Sequence, residues 1–495
     1  MTVALLDHVH LGHLHRVAHW PAWINGQPSD AGTRAEVRHP GDGEVVGTFT
    51  IPDAQAVEAA IAGAWAVRKE AQRTTAAQRA AALTHVSRQI EQRLDEVAAL
   101  ITAENGKPIT WARAEAARAS STFRWAAEEA RRFNGEFQRL DTEAATAGRA
   151  AIIRRFPHGP VLGISPFNFP VNLVAHKLAP AIAVGAPCVI KPAPATPLGA
   201  LLLGSLLAET DLPPGMWSVL PVGNDVAPAL VADPRLPVVS FTGSEPVGFA
   251  IQASVPRKHV ILELGGNAAA IVLDDYASDA DLDWAVARIT MFGNSQAGQT
   301  CVSVQHVLVT EGVAERLTTR LVDAVTSVAS GSPWDPQTVV GPMISESAAV
   351  RVGDWVGEAV DAGARILVGG TRDGAYVQPT LLADVPRDVK VSSEEVFGPV
   401  MCIRVVRDLD EAIEMINDSR FGLQTGIFTH NVQEIFRAHR ELEVGGVIVG
   451  DAPTFRADQM PYGGIKSSGV GREGLRYAMN DYTHERVLVL TDLAL

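Results

Sequence analysis

Cysteine is scarce in this chain: three residues, an odd number, among 495. That argues against a disulfide framework and for a reducing compartment, with the cytoplasm as the expected location. Basic charge is in deficit, 42 Lys and Arg against 56 Asp and Glu, for a formal net charge of −14. This balance argues against a nucleic-acid partner or an anionic membrane surface, and its expected consequence is solubility. No apolar run reaches the roughly 18 uninterrupted residues that a membrane span needs. The N-terminus carries Asp7 and several His where a secretory signal would have a basic region and an apolar core, so none is expected. The chain also lacks internal repeats and low-complexity segments.

What is present is ordinary for a soluble globular protein, 47% hydrophobic and 20% charged. The length calls for two or more domains. His8, His10, His13, His15 and His19 crowd the first residues. Without a Cys or paired carboxylate to complete a metal site, a loose or helical surface segment is the better reading, and no metal is expected. Trp23-Ile24-Asn25-Gly26-Gln27 reads as a hairpin turning on Asn-Gly. From Asp53 to about Asn134 the chain reads as helix, broken at Asn105-Gly106-Lys107-Pro108. Within it, Leu83, Val86, Ile90, Leu94 and Val97 follow the spacing of one amphipathic face. A strand is expected over 150–156.

From Gly159 short apolar runs (161–165, 186–190, 217–220, 238–242, 260–264, 269–273 and 305–309) alternate with helical ones such as 198–209 and 226–232. That alternation predicts parallel βαβ units. A helix over 281–292 leads towards Cys301, and helices at 313–330, 348–362 and 410–417 with a strand at 400–406 complete a second α/β domain. Residues 486–490 form an apolar strand at the terminus, a hazard unless paired, and are read as an inter-subunit strand.

Two of the three cysteines, Cys188 and Cys402, sit in apolar runs where free cysteine acts as a small hydrophobe. Cys301 instead follows Gly298-Gln299-Thr300 in a small, polar turn. Such surroundings can lower a thiol pKa and make a nucleophile, although an ordinary buried thiol is the plainer alternative. Glu263, between two Leu and ahead of Gly265-Gly266, is either a buried general base or a paired structural carboxylate. Asn168, in Ser165-Pro166-Phe167-Asn168-Phe169-Pro170, follows a strand and could donate to an oxyanion or simply make a turn. Lys191 ends another strand, and Gly243-Ser244 opens a helix with the geometry that suits phosphate. Two Gly-containing loops complete the set, Glu394-Glu395-Val396-Phe397-Gly398-Pro399 and Pro461-Tyr462-Gly463-Gly464.

Each signal is weak alone. Together and in this order, the segments resemble the aldehyde dehydrogenase superfamily from about residue 24 to 490. The resemblance implies an α/β fold with a Rossmann-type cofactor domain (19–143 and 158–265), an α/β catalytic domain (266–478) and a small β oligomerisation domain (144–157 and 479–495), after a tail at 1–18. It implies Cys301 as nucleophile, Asn168 as oxyanion donor and Glu263 as the base that activates the deacylating water. It assigns the cofactor to Ser165, Pro166, Phe167, Lys191, Gly223, Gly243, Ser244, Gly265, Glu395 and Phe397. The implied activity is NAD(P)-dependent oxidation of an aldehyde to an acid through a covalent thioester, in a homodimer or homotetramer. An acylating enzyme that passes its thioester to coenzyme A, and a silent binding protein on the same fold, are the rival readings.

The residues around Cys301 and the ending Gly471-Arg472-Glu473-Gly474 look like the lactaldehyde and phosphonoacetaldehyde branch. His306, Phe169 and Thr300 depart from that branch, which tends to have Arg, His and Arg there. An anionic substrate head is therefore not expected, although Arg113 could reach the pocket. His306 could assist the thiol but is expected to pack locally. Residues 275–279 look like an extension in a surface loop. Pro194 stands where NAD-preferring relatives place a Glu, so NADP is admitted, while the branch resemblance favours NAD. Trp111, Thr300 and Phe455 join Phe169 as expected shapers of the substrate pocket.

Overall fold

The hairpin expected at Asn25-Gly26 forms between Ala22–Ile24 and Gln27–Ser29, with φ of 54° and 78° at the two turn residues. The computed structural model describes residues 18–492 and, before them, only the strands Val9–His10 and His13–Leu14. The reading of the histidine tail thus falls mostly outside the described residues. His19, which is described, bonds locally to Thr48 and Asp30.

The helical stretch consists of four helices, Ala54–Arg73, Ala76–Gln92, Leu94–Asn105 and Ile109–Arg132. The expected single face from Leu83 to Val97 needs correction. Leu83, Val86 and Ile90 share a buried face, but the chain leaves helical geometry at Arg93 (φ −115°), so Leu94 and Val97 belong to the next helix. No Gly or Pro marks that break, so the spacing reads straight through it. Gly106 ends the third helix in left-handed conformation (φ 73°), where a Cβ would meet Pro40 and Pro342 at 2.7 Å.

Strands Trp217–Val219, Cys188–Lys191, Val161–Ile164, Val238–Thr242 and His259–Glu263 lie side by side and parallel in that order. The first of them in the chain, Val161–Ile164, sits in the middle. The chain runs outward to one side and then to the other, so a crevice opens beside that strand at the carboxyl edge, where ligands of such sheets bind. The N-terminal hairpin and Gly469–Val470 add antiparallel edges, giving eight strands. A second sheet has seven strands in the order Arg365–Val368, Thr380–Ala383, Val400–Val406, His306–Thr310, Ala269–Val272, Gln424–Phe428, Gly446–Val449, all parallel except the first. The fold is α/β, as expected.

A three-stranded antiparallel sheet joins Thr483–Leu490, Ala150–Pro157 and Glu136–Arg139. The terminal strand therefore has a partner in its own chain, with its other edge unpaired among the described residues. Strand pairing departs from the expected segmentation twice: Glu136–Arg139 joins the small sheet, and Gly469–Val470 closes the first large one. The supposed surface loop at 275–279 is also anchored. Tyr276 is buried against Phe428 and His430, and Asp279 already starts the helix Asp279–Asn294.

Candidate active site

The turn that presents Cys301 is built under strain. After the helix Asp279–Asn294 come Gln296, Ala297 and Gly298, all buried and all with positive φ (53°, 53° and 67°). L-residues rarely hold that conformation, at about 1–3 kcal/mol each, unless their surroundings fix them. Here they do. A Cβ on Gly298 would lie 2.0 Å from the Gly398 carbonyl, so that chain can approach only glycine. Gln296 donates to the Asn168 carbonyl, and the Gln299 carboxamide accepts from Ile344 N–H at 3.0 Å. The Gln305 side chain donates to the carbonyls of Val391 and Glu394 and accepts from Val396 N–H. Gln296 and Gln299 thus clamp the turn, and Gln305 ties the chain after it to the 391–396 segment.

Cys301 opens into a cavity of about 410 Å³ that also takes in Pro166, Phe167, Asn168, Gly243, Ser244, Glu263, Gly265, Glu395 and Phe397. The glycines let these walls close up: a Cβ on Gly265 would strike Glu395, and one on Gly266 would lie 2.9 Å from the Cys301 carbonyl. Asn168 is buried, with one amide N–H given to the Gln299 carbonyl at 2.9 Å and its Oδ1 unpartnered among the described residues. Its second N–H is the donor left over. Phe397, at positive φ (49°), sets its ring edge-on to Phe167 with centroids 5.8 Å apart.

Ser165, Lys191 and Gly223 stand beyond the cavity, on the same carboxyl edge of the first sheet. The Lys191 ammonium donates to Asn224 at 3.0 Å, next to Gly223, and burial brings it down to about 8, partly offset by Asp225. Ser244 caps the ten-residue helix Glu245–Ser254 with no side-chain cap bond, so the amides of its first turn remain available. Glu395 accepts from Gly266 N–H at 3.1 Å, and burial raises its carboxyl to about 7.

The thiol does not behave as its small polar neighbours suggested. Burial pushes Cys301 up to about 12. The hydrogen bond with the Tyr462 hydroxyl at 2.9 Å and the charge of Arg456 act against this, and Glu395 and Glu263 reinforce it. The expectation of a lowered pKa rested on turn amides, whereas protein encloses the sulfur. Glu263 does behave as expected: burial and the neighbouring Glu473 raise it well above the carboxylate range. Neither of its oxygens has a partner among the described residues. Glu473 is the opposite case. Lys177 and Arg456 outweigh its burial and hold it well below the usual range.

Residues 26–488 match the model of the aldehyde dehydrogenase family. The chain belongs to the aldehyde dehydrogenase family. The 3-sulfolactaldehyde dehydrogenase of Priestia aryabhattai is 39% identical over 480 residues, 96% of this chain and 99% of its own. The NADP(+) succinate-semialdehyde dehydrogenase of Escherichia coli is 36% identical over 474 residues, 93% of this chain and 95% of its own. The crystal structure of aldehyde dehydrogenase 21 from Physcomitrella patens, in complex with the reaction product succinate, matches with a TM-score of 0.95 at 41% identity, covering 97% and 99% of the two chains.

The residues at this sheet edge fit a nicotinamide dinucleotide. The buried Ser165 hydroxyl, unpartnered among the described residues, directly follows the strand Val161–Ile164, and Gly243, Gly265 and Ser244, which starts a helix without a side-chain cap bond, line the cavity at the same sheet edge.

A second cavity of about 240 Å³ shares Arg118, Phe169, Thr300, Thr454 and Arg456 with the first, and adds Trp111, Arg288 and Phe455. Trp111 and Phe455 thus line the second cavity, and Thr300 and Phe169 line both. Arg113 does not reach it, being paired with Asp95 at 2.7 Å on the surface. The positive charge comes instead from Arg118, Arg288 and Arg456, which the sequence reading missed. Arg118 holds Asp458 at 3.1 Å and Arg456 holds Glu473 at 3.0 Å, yet the Nε of each is buried without an acceptor among the described residues. Arg288 is spent on a bidentate pair with Asp451.

His306 lies away from the thiol, in a separate cavity of about 310 Å³ that Cys301 does not line. It contacts the Ser392 carbonyl at 3.1 Å, and burial lowers it to about 4. It packs locally, as expected.

Proposed function

We propose that the protein oxidises a small aldehyde with an anionic tail to the acid, using NAD or NADP, through a thioester on Cys301. One observation carries this reading. A single cleft is lined by the Cys301 thiol, by Glu263 with neither oxygen bonded among the described residues, and by Arg118 and Arg456, whose Nε–H groups lack acceptors among them. A buried donor left unmade is costly, by about 1–3 kcal/mol, and a carboxylate or sulfonate on the substrate supplies the missing acceptor. The names of two relatives, sulfolactaldehyde and succinate-semialdehyde dehydrogenase, agree with that substrate class.

The Cys301 sulfur adds to the aldehyde carbon, and the carbonyl pair moves to oxygen. The second N–H of the Asn168 amide meets the resulting oxyanion, a contact of a kind whose loss costs about 3 kcal/mol. Departure of hydride from that carbon is the chemistry that bound NAD(P) supplies, and it leaves a thioester. Glu263 then takes a proton from water as the water attacks the thioester carbon, and the sulfur leaves as thiolate. Lys191, Ser244 and Glu395 are the side chains in place to hold the cofactor. NAD is the cofactor we infer, with NADP admitted because Pro194 puts no carboxylate against a 2′-phosphate.

The protein also works, on this reading, as a homodimer or homotetramer. Val487, Leu488 and Val489 of the terminal strand are exposed beside an unpaired edge, and Val449 is exposed on the edge strand of the second large sheet. Two such edges invite pairing between copies. Segments 144–157 and 479–495 are the oligomerisation element we infer.

The test is Cys301→Ala, assayed on carboxylate-, sulfonate- and uncharged aldehydes with both cofactors, and with and without coenzyme A. NAD(P)H formation should fall by about 10⁴-fold or more, with cofactor binding retained. Undiminished turnover ends the covalent reading. A product that needs coenzyme A replaces hydrolysis by transfer, and no NAD(P)H from the parent on any aldehyde leaves a binding protein.

A further inference from the structure

The phenol of Tyr462 stands 2.9 Å from the Cys301 sulfur, and nothing in the mechanism above uses it. Its placement is tightly determined. Tyr462 and Glu473 exchange backbone hydrogen bonds of 3.0 and 2.7 Å, which pins the loop. The ring is 5% exposed and packs on Val302 and Leu423, while the Arg456 guanidinium lies 4.0 Å over its face. Next to it Gly463 leaves room for Glu263, whose Oε1 would be 2.8 Å from a Cβ there.

We propose that Tyr462 is a catalytic residue, whose phenolic O–H donates to the Cys301 sulfur and sustains its thiolate for attack on the aldehyde. The proposal rests on Cys301 being the nucleophile. Of the charged groups facing the sulfur, Glu263 and Glu395 oppose a negative charge and Arg456 favours it. Arg456, held by Glu473, acts on the sulfur through its charge and also lies over the ring, where a cation makes the phenol a better donor. Proton and charge balance simply. The thiol proton passes to solvent water, which leaves Glu263 free for the hydrolytic step, the phenol keeps its own, and the negative charge passes to the carbonyl oxygen once the C–S bond forms.

Donation to a thiolate has two opposed effects. A hydrogen bond to a charged atom lowers the thiol pKa by about one unit or more, raising the thiolate fraction about tenfold at neutral pH. The same bond dulls the nucleophile, because reactivity falls with pKa at a slope of roughly 0.4–0.5. The net gain near pH 7 is therefore about threefold, and the sign reverses at high pH.

That opposition gives the experiment. The rate of Cys301 alkylation by iodoacetamide at pH 7 to 8, with the site read by mass spectrometry, is compared in the intact parent, in Tyr462→Phe and in Tyr462→3-fluorotyrosine, whose phenol is a stronger donor of nearly the same shape. The Phe variant should react about threefold more slowly than the parent and the fluorotyrosine variant faster. A merely structural loss slows the first and leaves the second at the parent's rate. If the Phe variant matches the parent, or the fluorotyrosine variant is no faster, the proposal fails. If alkylated parent retains full turnover, the nucleophile assignment itself fails, which is a separate outcome. Melting temperature and cofactor binding verify that the variant is folded.

Discussion

Glu263 and Glu473 line one cavity, are 3% and 2% exposed, and sit in opposite states. Glu263 comes at the end of a parallel strand with no partner for either oxygen among the described residues. Glu473 belongs to the pinned loop and is held by Lys177 at 3.3 Å and Arg456 at 3.0 Å. Burial and the charge of Glu473 raise one carboxyl, and two cations depress the other. The unpaired wall is where a proton can be picked up, and the paired wall is what keeps its neighbour in place.

The sharpest way to test the difference is to remove each carboxylate in turn. In Glu263→Gln the first burst of NAD(P)H should remain and steady turnover should drop by about 10²–10⁴-fold, read by stopped-flow absorbance. Melting temperature should hold, since no partner is abandoned. Glu473→Gln should do the reverse. It strands Lys177 and Arg456 in the interior and should cost about 3–5 kcal/mol in denaturant unfolding. The two should also differ in pH dependence. A carboxyl whose folded pKa is depressed gives stability that is present above about 4.5 and lost as pH falls. One whose folded pKa is raised loses stability as pH climbs above that value. If both variants lose stability equally and neither loses turnover selectively, the contrast is empty.

The arginines extend the contrast to substrate. Arg118→Met should raise KM for a carboxylate- or sulfonate-tailed aldehyde about ten- to thirtyfold and leave that of an uncharged aldehyde of equal length unchanged. An equal rise for both would show that Arg118 only shapes the cleft.

Most of the fold was legible because its elements are local patterns. Short apolar runs between Gly and Pro read as strands, and Asn25-Gly26 reads as a turn. The break at Arg93 was not legible, having neither Gly nor Pro to mark it. At the site, order along the chain brought Cys301, Asn168 and Glu263 into view, and the structure sets all three around one cavity. The arginines were missed because charge in a helix such as Ile109–Arg132 looks solvated unless the opposite wall is known. Arg113 and Arg118 share that helix, and only the second turns into the cleft. The pairing of Tyr462 with Cys301 spans 161 residues and leaves no local trace.

His306 offers the smallest effect and isolates burial from pairing. Its ring has no carboxylate partner among the described residues and shares its cavity with Arg387, Glu394, Asp418 and Arg420, with Arg404 also nearby. Burial lowers it from 6.5 to about 4 against the pull of the Ser392 carbonyl. The folded ring is therefore neutral where the unfolded one is charged. As pH falls from about 6.5 towards 4, the unfolded chain binds a proton that the folded chain refuses, so stability is lost across that window and the loss stops below it. Because the ring is partly exposed, the difference should be on the order of 1–2 kcal/mol, less than the full shift implies. His306→Gln keeps a donor for Ser392 and does not titrate. Subtracting its unfolding free energy from that of the parent at several pH values should give a flat line above 6.5 and a decline beneath it. Parallel curves would mean that the ring is solvated, and a changed pH profile for Cys301 alkylation in the variant would place His306 in the thiol's service after all.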